Sequence, residues 1–463
     1  MRSSSASFIN HEEIISTLDW ADKNKSNTSL IAQVMDKARL RKGLDYREAS
    51  LLLVSAAERQ DELFALAKQI KADFYGNRIV LFAPLYLSNY CINGCVYCPY
   101  HASNTTMPRK KLTQDEIKRE VAALQDMGHK RLVIETGEDP VNAPLEYILE
   151  SISTIYGIKN KNGAIRRVNV NIAAATVDEY KQLCAAGIGT YILFQETYHR
   201  ETYERLHPSG PKSDYEWHTT AMDRAMQGGL DDVGIGVLFG LYDYRYEFAA
   251  MMMHAEHLER TYGVGPHTIS VPRIRPASGI KPTDNSISDE IFAQIVACIR
   301  VAAPYTGIIV STRESEECRR HALEVGVSQI SGGSRTSVGG YESDASHDTR
   351  QFQTSDNRSL AEVVRWLMDN NHTPSFCTAC YREGRIGERF MQLCKSGQIQ
   401  NCCHPNALMT LQEYLMDYAS AATRAQGEAL IQRELPNIPN EKMRKTITEH
   451  IEKIKSGSRD FRV

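Results

Sequence analysis

Residues 78–99 read RIVLFAPLYLSNYCINGCVYCP, a dense apolar run followed at once by three closely spaced cysteines. The apolar part, residues 78–86, is short and continuous, which predicts a strand buried in a parallel sheet. Cys91, Cys95 and Cys98 then fall in the loop directly after that strand. The sequence therefore predicts a metal-binding loop at the carboxyl end of a buried strand.

Seven comparable apolar runs follow the first one, and helical patterns separate them. The runs cover residues 131–135, 168–174, 191–194, 233–239, 268–274, 307–311 and 327–331. The helical patterns include residues 113–127, 177–186, 214–226, 247–262, 289–303 and 316–325. Eight strands that alternate with helices predict an α/β protein with a closed (β/α)8 barrel of the TIM type. An open, doubly wound sheet is the alternative that the same alternation allows.

Helical sequence lies on both sides of this alternation. Residues 10–71 read mainly as helices, and Asn10 and Glu13 fit an N-cap and its reciprocal partner. Beyond Gly340 the alternation stops, and a polar stretch leads into a second cysteine-rich segment and further helices. We therefore predict an N-terminal helical region at 1–75, a barrel at 76–340 and a C-terminal metal-binding module at 341–463.

The composition is that of an ordinary globular protein. Of the 463 residues, 42% are hydrophobic and 24% are charged, and the formal net charge of −3 gives no basic balance for binding nucleic acid. No apolar run reaches membrane-spanning length, and residues 1–10 lack the apolar core of a secretory signal. The 11 cysteines, an odd number, favour thiolate ligands over disulfides. We expect a cytoplasmic protein with no nucleic-acid or membrane partner.

The first cysteine group, in residues 91–98, places three thiolates within eight residues. Gly94 permits the tight curl that a single metal centre would need. Iron–sulfur clusters are usually held by four cysteines, and no fourth is near in the sequence. The pattern indicates a [4Fe–4S] cluster with one iron open to an outside ligand. A zinc site completed by His101 is the alternative, although zinc favours paired C-x2-C units.

A second cysteine group lies beyond the barrel sequence. Cys377 and Cys380 form a C-x2-C pair, and Cys403 follows after 22 further residues. Two other cysteines compete for the third position, Cys394 and Cys402. Three thiolates again predict a metal centre, and a zinc site with His404 as the fourth ligand is the alternative.

The C-x3-C-x2-C motif after the first barrel strand resembles the signature of radical SAM enzymes. The resemblance implies that the open iron binds S-adenosylmethionine (SAM), which an electron from the cluster cleaves to a 5′-deoxyadenosyl radical. Tyr97 matches the position whose ring packs near the adenine. Gly137 and Glu138 match the pair that receives the SAM amino group. Glu196 and Arg205 resemble the groups that hold its ribose and carboxylate, with a surface salt bridge as the alternative.

Two turns at the ends of the seventh and eighth strands carry arginines beside hydroxyl groups. Ser311 and Arg313 lie in the first turn, and Arg335 lies in the second. An arginine flanked by hydroxyls can hold a substrate carboxylate through paired hydrogen bonds. The turns resemble the carboxylate pocket of aromatic amino-acid radical lyases. We expect Arg335 to bind this carboxylate, because glycines and hydroxyls flank it, and Arg313 is the alternative.

From about residue 45 to its end, the sequence resembles the radical SAM tyrosine lyases of [FeFe]-hydrogenase maturation. The shared segments are HTISVPRIRP from 267, YHRETYERLHPSGPKSDY from 198, STRE from 311 and GGSRT from 332. The resemblance selects Cys403 as the third ligand of the second group. It implies an auxiliary iron–sulfur cluster there, with an additional iron attached through free L-cysteine. His267 is our candidate ligand for that iron, since it opens the sixth strand at the other end of the barrel.

The resemblance also implies a reaction. L-Tyrosine would lose its Cα–Cβ bond, leaving p-cresol and a dehydroglycine-like fragment that the second site converts to CO and cyanide on iron for the hydrogenase active site. The implied partners are tyrosine, SAM, cysteine and other hydrogenase maturation proteins. One alternative is a thiazole-biosynthesis tyrosine lyase, which releases dehydroglycine and lacks the second cysteine group. The other is a non-catalytic iron–sulfur scaffold, against which the charged groups at the strand ends argue.

Overall fold

Four helices precede the first strand in the computed structural model, which describes residues 6–275, 284–342 and 349–463. They are α1 (His11–Asn24), α2 (Thr28–Arg39), α3 (Tyr46–Val54) and α4 (Gln60–Tyr75). Asn10 caps α1 as predicted, since its Oδ1 accepts a hydrogen bond from the Glu13 amide at 3.0 Å. The Glu13 carboxylate does not complete the predicted reciprocal bond. It accepts from the Tyr46 hydroxyl at 3.0 Å and so joins α1 to α3.

Eight parallel strands form a closed barrel. They are β1 (Arg78–Ser88), β2 (Arg131–Thr136), β5 (Arg167–Asn171), β6 (Tyr191–Ile192), β7 (Val233–Gly236), β8 (Thr268–Ser270), β9 (Gly307–Val310) and β10 (Gln329–Ser331). A short hairpin, β3 (Lys159–Asn160) and β4 (Gly163–Ala164), lies outside it. The barrel closes where β10 pairs with β1, with Ile330 opposite Leu81. The predicted (β/α)8 barrel is therefore confirmed, and the open sheet is excluded.

Helices connect the successive strands of the barrel. They are α5 (Gln114–Met127), α6 (Leu145–Gly157), α7 (Val177–Ala185), α8 (Arg200–Leu206), α9 (Tyr215–Thr219), α10 (Ala221–Gln227), α11 (Tyr244–Tyr262), α12 (Asp289–Ala302) and α13 (Glu316–Val325). The helix predicted at 214–226 is two helices that meet at Thr220. There the carbonyl of Trp217 accepts a hydrogen bond from the Arg224 guanidinium at 2.6 Å, which holds the bend in place.

The C-terminal region is joined to the barrel by a ninth parallel pairing. Strand β11 (Thr373–Ser375) lies beside the amino end of β1, with Thr373 opposite Arg78. The helices of this region are α14 (Leu360–Asp369), α15 (Ala379–Arg382), α16 (Gly387–Lys395), α17 (Gln400–Asp417), α18 (Ala421–Glu434) and α19 (Glu441–Lys455). The pairing places Cys377, two residues beyond β11, at the amino end of the barrel. The domain boundaries predicted at 75 and 340 stay predictions.

None of the helices in the described ranges combines the length and the apolar character that crossing a membrane requires.

Candidate active site and second metal centre

One cavity at the carboxyl ends of the strands gathers most residues predicted for the first site. The predicted residues that line it are Cys91, Cys95, Tyr97, Cys98, Gly137, Glu138, Glu196, Ser311 and Arg313. Within the described part of the chain, Arg205 and Arg335 are not among its lining residues. Arg205 lies near the end of α8 with its side chain exposed, and Arg335 lies in the turn after β10. This arrangement favours Arg313 over Arg335 as the residue that meets a substrate carboxylate.

A buried network holds the cysteine loop in its curled shape. The Arg109 guanidinium donates to the carbonyls of Asn89 at 2.7 Å and Tyr100 at 2.8 Å, on either side of the three cysteines. The Asn89 side chain accepts from the amide of Lys110 at 2.7 Å. These bonds satisfy backbone groups that a curled loop cannot pair within itself. The loop is therefore a rigid cradle rather than an open turn.

Asn93 and Gly137 bring the second strand's turn against this loop. The Asn93 Nδ2 donates to a Glu138 carboxylate oxygen at 2.6 Å and lies 3.8 Å from the Cys91 sulfur. A Cβ atom at Gly137 would lie 2.3 Å from the Tyr90 carbonyl oxygen, so no larger residue fits at that position. Glu138 is thus held beside the cysteines, where its carboxylate can attract an ammonium group.

Tyr97 is oriented by a histidine that the sequence did not single out. Its hydroxyl lies 2.7 Å from Nε2 of His207, whose Nδ1 lies 2.7 Å from the Tyr203 carbonyl oxygen. Since a carbonyl only accepts, Nδ1 carries the proton and Nε2 accepts from Tyr97. Burial lowers the pKa of His207 to about 3, so the ring is neutral near pH 7. The Tyr97 ring therefore has one fixed orientation at the cavity wall.

Glu196 is paired with Lys212, which is also absent from the sequence prediction. The Lys212 Nζ lies 2.8 Å from Glu196 Oε1, and both side chains are less than one fifth exposed. Burial lowers the Lys212 pKa, but the Glu196 carboxylate and the Cys95 thiol outweigh this and raise it overall. Glu196 also has a positive φ of 69°, a conformation that non-glycine residues rarely adopt. An ion pair in an uncommon backbone conformation is typical of a functional site.

Another part of the cavity wall carries a carboxyl group, that of Glu135, and an arginine, Arg313. Burial raises the pKa of Glu135 to about 8, so this carboxyl group holds a proton near neutral pH and can donate it. Arg313 lies with its Cζ 3.6 Å from the centre of the Phe352 ring. Ser311 lines the same wall. A half-buried arginine beside a hydroxyl can hold a carboxylate, as the sequence predicted for this turn.

A second, smaller cavity lies at the amino end of the barrel. Its lining includes the three cysteines selected for the second site, Cys377, Cys380 and Cys403, together with His267. Cys394 and Cys402 are not among its lining residues within the described chain. A hydrogen bond with Cys403, together with burial, raises the pKa of the Cys380 thiol. These contacts favour Cys403 as the third ligand.

His267 lies directly before β8, at the amino end predicted for it. Its Nε2 lies 3.0 Å from the Tyr381 hydroxyl, and its Nδ1 lies 3.4 Å from a carboxylate oxygen of Asp232. Burial lowers its pKa, so the ring is neutral and can offer a nitrogen lone pair. Arg131 donates to the Cys377 carbonyl at 2.8 Å across the same cavity. The arrangement can hold a metal centre next to a neutral histidine.

Neither cysteine set closes around a single small ion. Among the described residues, the His, Cys, Asp and Glu side chains whose ligand atoms all lie within 4.8 Å of one another are Asp289, Glu314 and Cys318. Two of these three side chains, Asp289 and Glu314, form ion pairs with the buried Arg273. The two histidines of the zinc alternatives point elsewhere: His101 bonds to a serine hydroxyl, and His404 to a backbone carbonyl. With neither histidine available as a fourth ligand, each group of three thiols fits an iron–sulfur cluster better than a closed four-ligand zinc site.

Sequence reasoning missed Lys212 and Glu135, and only one of them carried a usable signal. Glu135 ends the predicted second strand, so its position at the catalytic face could have been inferred. Lys212 follows Glu196 by 16 residues and reaches it only because the chain turns back after α8. No residue spacing along the chain indicates that return.

Two protein-family models match parts of the chain. Residues 85–253 match the Radical SAM superfamily, and residues 270–373 match the Biotin and Thiamin Synthesis associated domain. The first match contains the cysteine loop, the Glu138 turn and the Glu196–Lys212 pair. The second ends at the start of β11.

The chain is also similar to characterised relatives. It is 32% identical to 2-iminoacetate synthase of Escherichia coli strain K12 over 354 residues, which are 76% of this chain and 91% of that one. A crystal structure of HydG, a maturase of the [FeFe]-hydrogenase, shares 52% identity and a TM-score of 0.96, and the match covers 99% of this chain and all of that one. The HydG of Carboxydothermus hydrogenoformans shares 39% identity and a TM-score of 0.84, over 97% and 100% of the two chains.

Proposed function

The chain belongs to the HydG family of radical SAM enzymes, and we propose that it cleaves L-tyrosine and converts one fragment to CO and cyanide. Membership of that family implies a [4Fe–4S] cluster and SAM at the first site. The proposal adds the substrate, the products p-cresol and a dehydroglycine-like fragment, and the conversion of that fragment to CO and cyanide for assembling the hydrogenase active site. A thiazole-type lyase, which shares the first step, is the second candidate.

The observation that carries the proposal is the pair of cavities at opposite ends of one barrel. Each cavity is lined by one of the two groups of three cysteines found in the sequence. Among the described residues, no fourth cysteine lines either cavity. A lyase that only released its fragment would have no use for the second set. Two incomplete cysteine sets therefore support a two-site enzyme over the thiazole-type lyase.

At the first site, the cluster, when bound, supplies the electron that cleaves SAM to a 5′-deoxyadenosyl radical. We assign the SAM amino group to Glu138 and its ribose or carboxylate to the Glu196–Lys212 pair. Tyr97, fixed by His207 at 2.7 Å, offers its ring to the adenine. In this assignment the side chains orient SAM and exclude water, and they take no part in breaking bonds.

The substrate would lie across the same cavity. Arg313 and Ser311 are the groups we assign to the tyrosine carboxylate, because both line the wall and an arginine can bind a carboxylate through two hydrogen bonds. Glu135, with its pKa of about 8, can donate or take a proton at the tyrosine amino group or hydroxyl. The 5′-deoxyadenosyl radical would take a hydrogen atom from the amino group and become 5′-deoxyadenosine, and scission of the Cα–Cβ bond would follow.

The second site would receive the small fragment. We assign an auxiliary iron–sulfur cluster to Cys377, Cys380 and Cys403, and an additional iron, linked through free L-cysteine, to His267. The cavity that these residues line lies at the amino end of the barrel, away from the cavity assigned to tyrosine. This separation supports a second site that handles a fragment after the first reaction.

The test is to incubate the reduced, reconstituted protein with SAM and tyrosine and to measure p-cresol, CO and cyanide together. We expect all three products. Cys91→Ala should abolish p-cresol, whereas Cys380→Ala should retain part of the p-cresol and lose the CO. Absence of p-cresol would overturn the proposal, and p-cresol without CO or cyanide would favour the thiazole-type lyase. Normal CO from Cys380→Ala would show that the second site is wrongly assigned.

A further inference from the structure

Three neighbouring strands of the barrel begin with an arginine at the amino end, where the second cysteine group lies. They are β1 with Arg78, β2 with Arg131 and β5 with Arg167. Strand β2 pairs with the other two, and Arg131 stands opposite Arg167. Successive side chains point to opposite faces of a strand, and Phe82, Val133 and Asn171, each an even number of residues further along, line the cavity at the carboxyl ends. The three arginines, which we call the arginine arc, therefore project from the inner face of the barrel at its other end.

The arginine arc is buried and has no ion pair. Each of its side chains is 7% exposed, and none is paired with a carboxylate within the described residues. The Nε atoms of Arg131 and Arg167 are buried without a hydrogen-bond partner in the described chain. Arg166, the neighbour of Arg167, does pair, with a carboxylate of α17 at 2.8 Å. A guanidinium group stays charged in a protein, and a buried charge without a partner is strongly destabilising, so the arc requires negative charge nearby.

The arginine arc faces the second cysteine group. Arg78 and Arg131 line the same small cavity as the three cysteines of that group. Arg167 lies with its Cζ 3.1 Å from the centre of the Tyr381 ring, and Tyr381 follows Cys380 directly. Among the described residues that line this cavity, none is an aspartate or a glutamate. The cysteines are therefore the acidic groups that the cavity wall offers to the arc.

Charge at this end of the barrel is balanced only when the cysteines are ionised. Asp232, 3.4 Å from Nδ1 of His267, attracts Arg167 and supplies one negative charge against three positive ones. Cysteines bind metal as thiolates, which would add three negative charges beside the arc. Burial lowers the pKa of Arg78, but attraction to these thiolates and to the Tyr75 phenolate outweighs it and raises the pKa overall. An electron added to a cluster held there would bring one more negative charge, which buried cations stabilise.

We propose that the arginine arc compensates the negative charge of the second metal centre and thereby raises the reduction potential of the cluster bound there. The inference rests on the second cluster of the proposed function. The potential of an iron–sulfur cluster depends on the net charge around it and on its exposure to solvent. In a buried cavity the three cations are screened little by salt, so they favour the more negative, reduced state. The first cavity differs, since carboxylates of Glu138 and Glu196 line it together with Lys212.

The experiment is a redox titration of the reconstituted full chain, followed by EPR. The variants Arg78→Gln, Arg131→Gln and Arg167→Gln each remove one charge, and Arg78→Lys keeps it. The matched control, Arg433→Gln, removes the same charge from α18, where the side chain is 55% exposed. Every protein is also prepared with Cys91→Ala, and the EPR signal that remains belongs to the second cluster. Iron content is measured in parallel, and neither readout needs tyrosine.

We expect Arg78→Gln and Arg131→Gln each to lower the midpoint potential of the second cluster by about 59 mV, a roughly tenfold smaller constant for one-electron reduction. Arg167→Gln should lower it less, because Arg167 is not among the cavity-lining residues of the described chain. Arg78→Lys should keep the parent potential. Arg433→Gln should also keep it, because salt screens an exposed charge. Iron lost from the second site of the glutamine variants but retained in Arg78→Lys would equally support charge compensation.

Unchanged potentials in Arg78→Gln and Arg131→Gln would overturn the inference. An equal fall in Arg433→Gln would do so too, because the effect would then belong to the total charge of the chain. A fall in Arg78→Lys as large as in Arg78→Gln would assign the effect to shape and not to charge. The expected shifts without any CO formation would leave the inference standing and count against the proposed chemistry. A parent chain without a second EPR signal would overturn both.

Discussion

Lys212 Nζ lies 2.8 Å from Glu196 Oε1. This largely buried pair joins the turn after β6 to the segment between α8 and α9. The amide of Lys212 also donates to the Asn93 side chain at 2.9 Å, within that cysteine loop. Lys212 therefore contacts both the predicted SAM-binding carboxylate and the cluster cradle. One lysine links the two halves of the first site.

The first prediction concerns this lysine. Lys212→Met should leave the Glu196 carboxylate buried without a partner and lower the free energy of unfolding by about 3 kcal/mol. SAM affinity should fall as well, because Glu196 would lose its fixed position. Chemical denaturation and calorimetric SAM titration measure the two effects. Lys212→Arg keeps the charge and should lose much less stability. If the methionine variant were as stable as the parent, the pair would not be holding the site together.

The barrel could be predicted from sequence because each of its strands is a short apolar run. Such a run favours a buried strand by itself, without reference to the residues that pack against it. All eight runs form strands, and the pairing of β10 with β1 closes the barrel, which the alternation by itself did not distinguish from an open sheet. Strand β11 could not be predicted, since Thr373, Pro374 and Ser375 carry no apolar pattern. It forms because the amino end of β1 extends beyond its barrel partners and leaves backbone groups for it to pair with.

That the cysteines predicted to bind metal come together was predictable, because a ligand group in one loop depends on local spacing. Cys91, Cys95 and Cys98 had to lie in one loop, and they line one cavity. The charged residues were less predictable, because the packing of distant segments decides whether an arginine or a lysine reaches the site. Arg205 follows Glu196 by 9 residues and points outward, whereas Lys212 follows it by 16 and points inward. Sequence alone offers no reason to choose between them.

A second prediction concerns pH. Burial raises the pKa of Glu247 to about 8, and its carboxyl group accepts hydrogen bonds from the Tyr198 amide and the Thr197 hydroxyl, next to Glu196. The folded chain therefore keeps this proton at pH values where the unfolded chain, with a pKa near 4.5, has lost it. The Glu247 contribution is complete below about pH 4.5 and is lost as pH rises toward 8, by up to about 1.4 kcal/mol per pH unit.

Glu247→Gln should remove this loss, because a glutamine imitates the protonated carboxyl group at every pH. The variant should gain stability relative to the parent between pH 5 and pH 8, in unfolding titrations repeated at several pH values. Glu150→Gln, on the exposed face of α6, serves as the control and should leave the difference flat. A parallel pH dependence in Glu247→Gln and the parent would mean that Glu247 titrates normally in the folded chain.

The third prediction separates the two candidate arginines for the tyrosine carboxylate. Arg313→Gln should raise the KM for tyrosine about 10- to 100-fold, the usual cost of losing a charged hydrogen bond to a carboxylate. Arg335→Gln should raise it much less, because Arg335 is outside the cavity lining. Steady-state p-cresol formation at several tyrosine concentrations measures both. A larger effect from Arg335→Gln would restore the assignment that the sequence favoured.

The last prediction concerns Asp460, which connects both cysteine-bearing segments of the second site. Its carboxylate receives two hydrogen bonds from Arg382, at 2.5 Å and 2.6 Å, two residues beyond Cys380. It also lies 3.3 Å from Arg166, which pairs with Glu413 on α17, the helix that carries Cys403. Asp460 has a φ of 67°, which asparagine also tolerates. Asp460→Asn therefore removes the charge without straining the backbone.

We expect Asp460→Asn to loosen the segment around Cys380 by about 1 kcal/mol, since the ion pair with Arg382 is partly exposed. Amide hydrogen exchange should quicken at residues 377–385, and iron should be lost from the second site while the first cluster's EPR signal with SAM persists. Asp178→Asn, an exposed change on α7, should do neither. Loss of iron from both sites would indicate general unfolding, and full retention at both would show that the cysteines need no such support. Selective loss would mean that charged residues more than fifty positions from Cys403 hold the second site together.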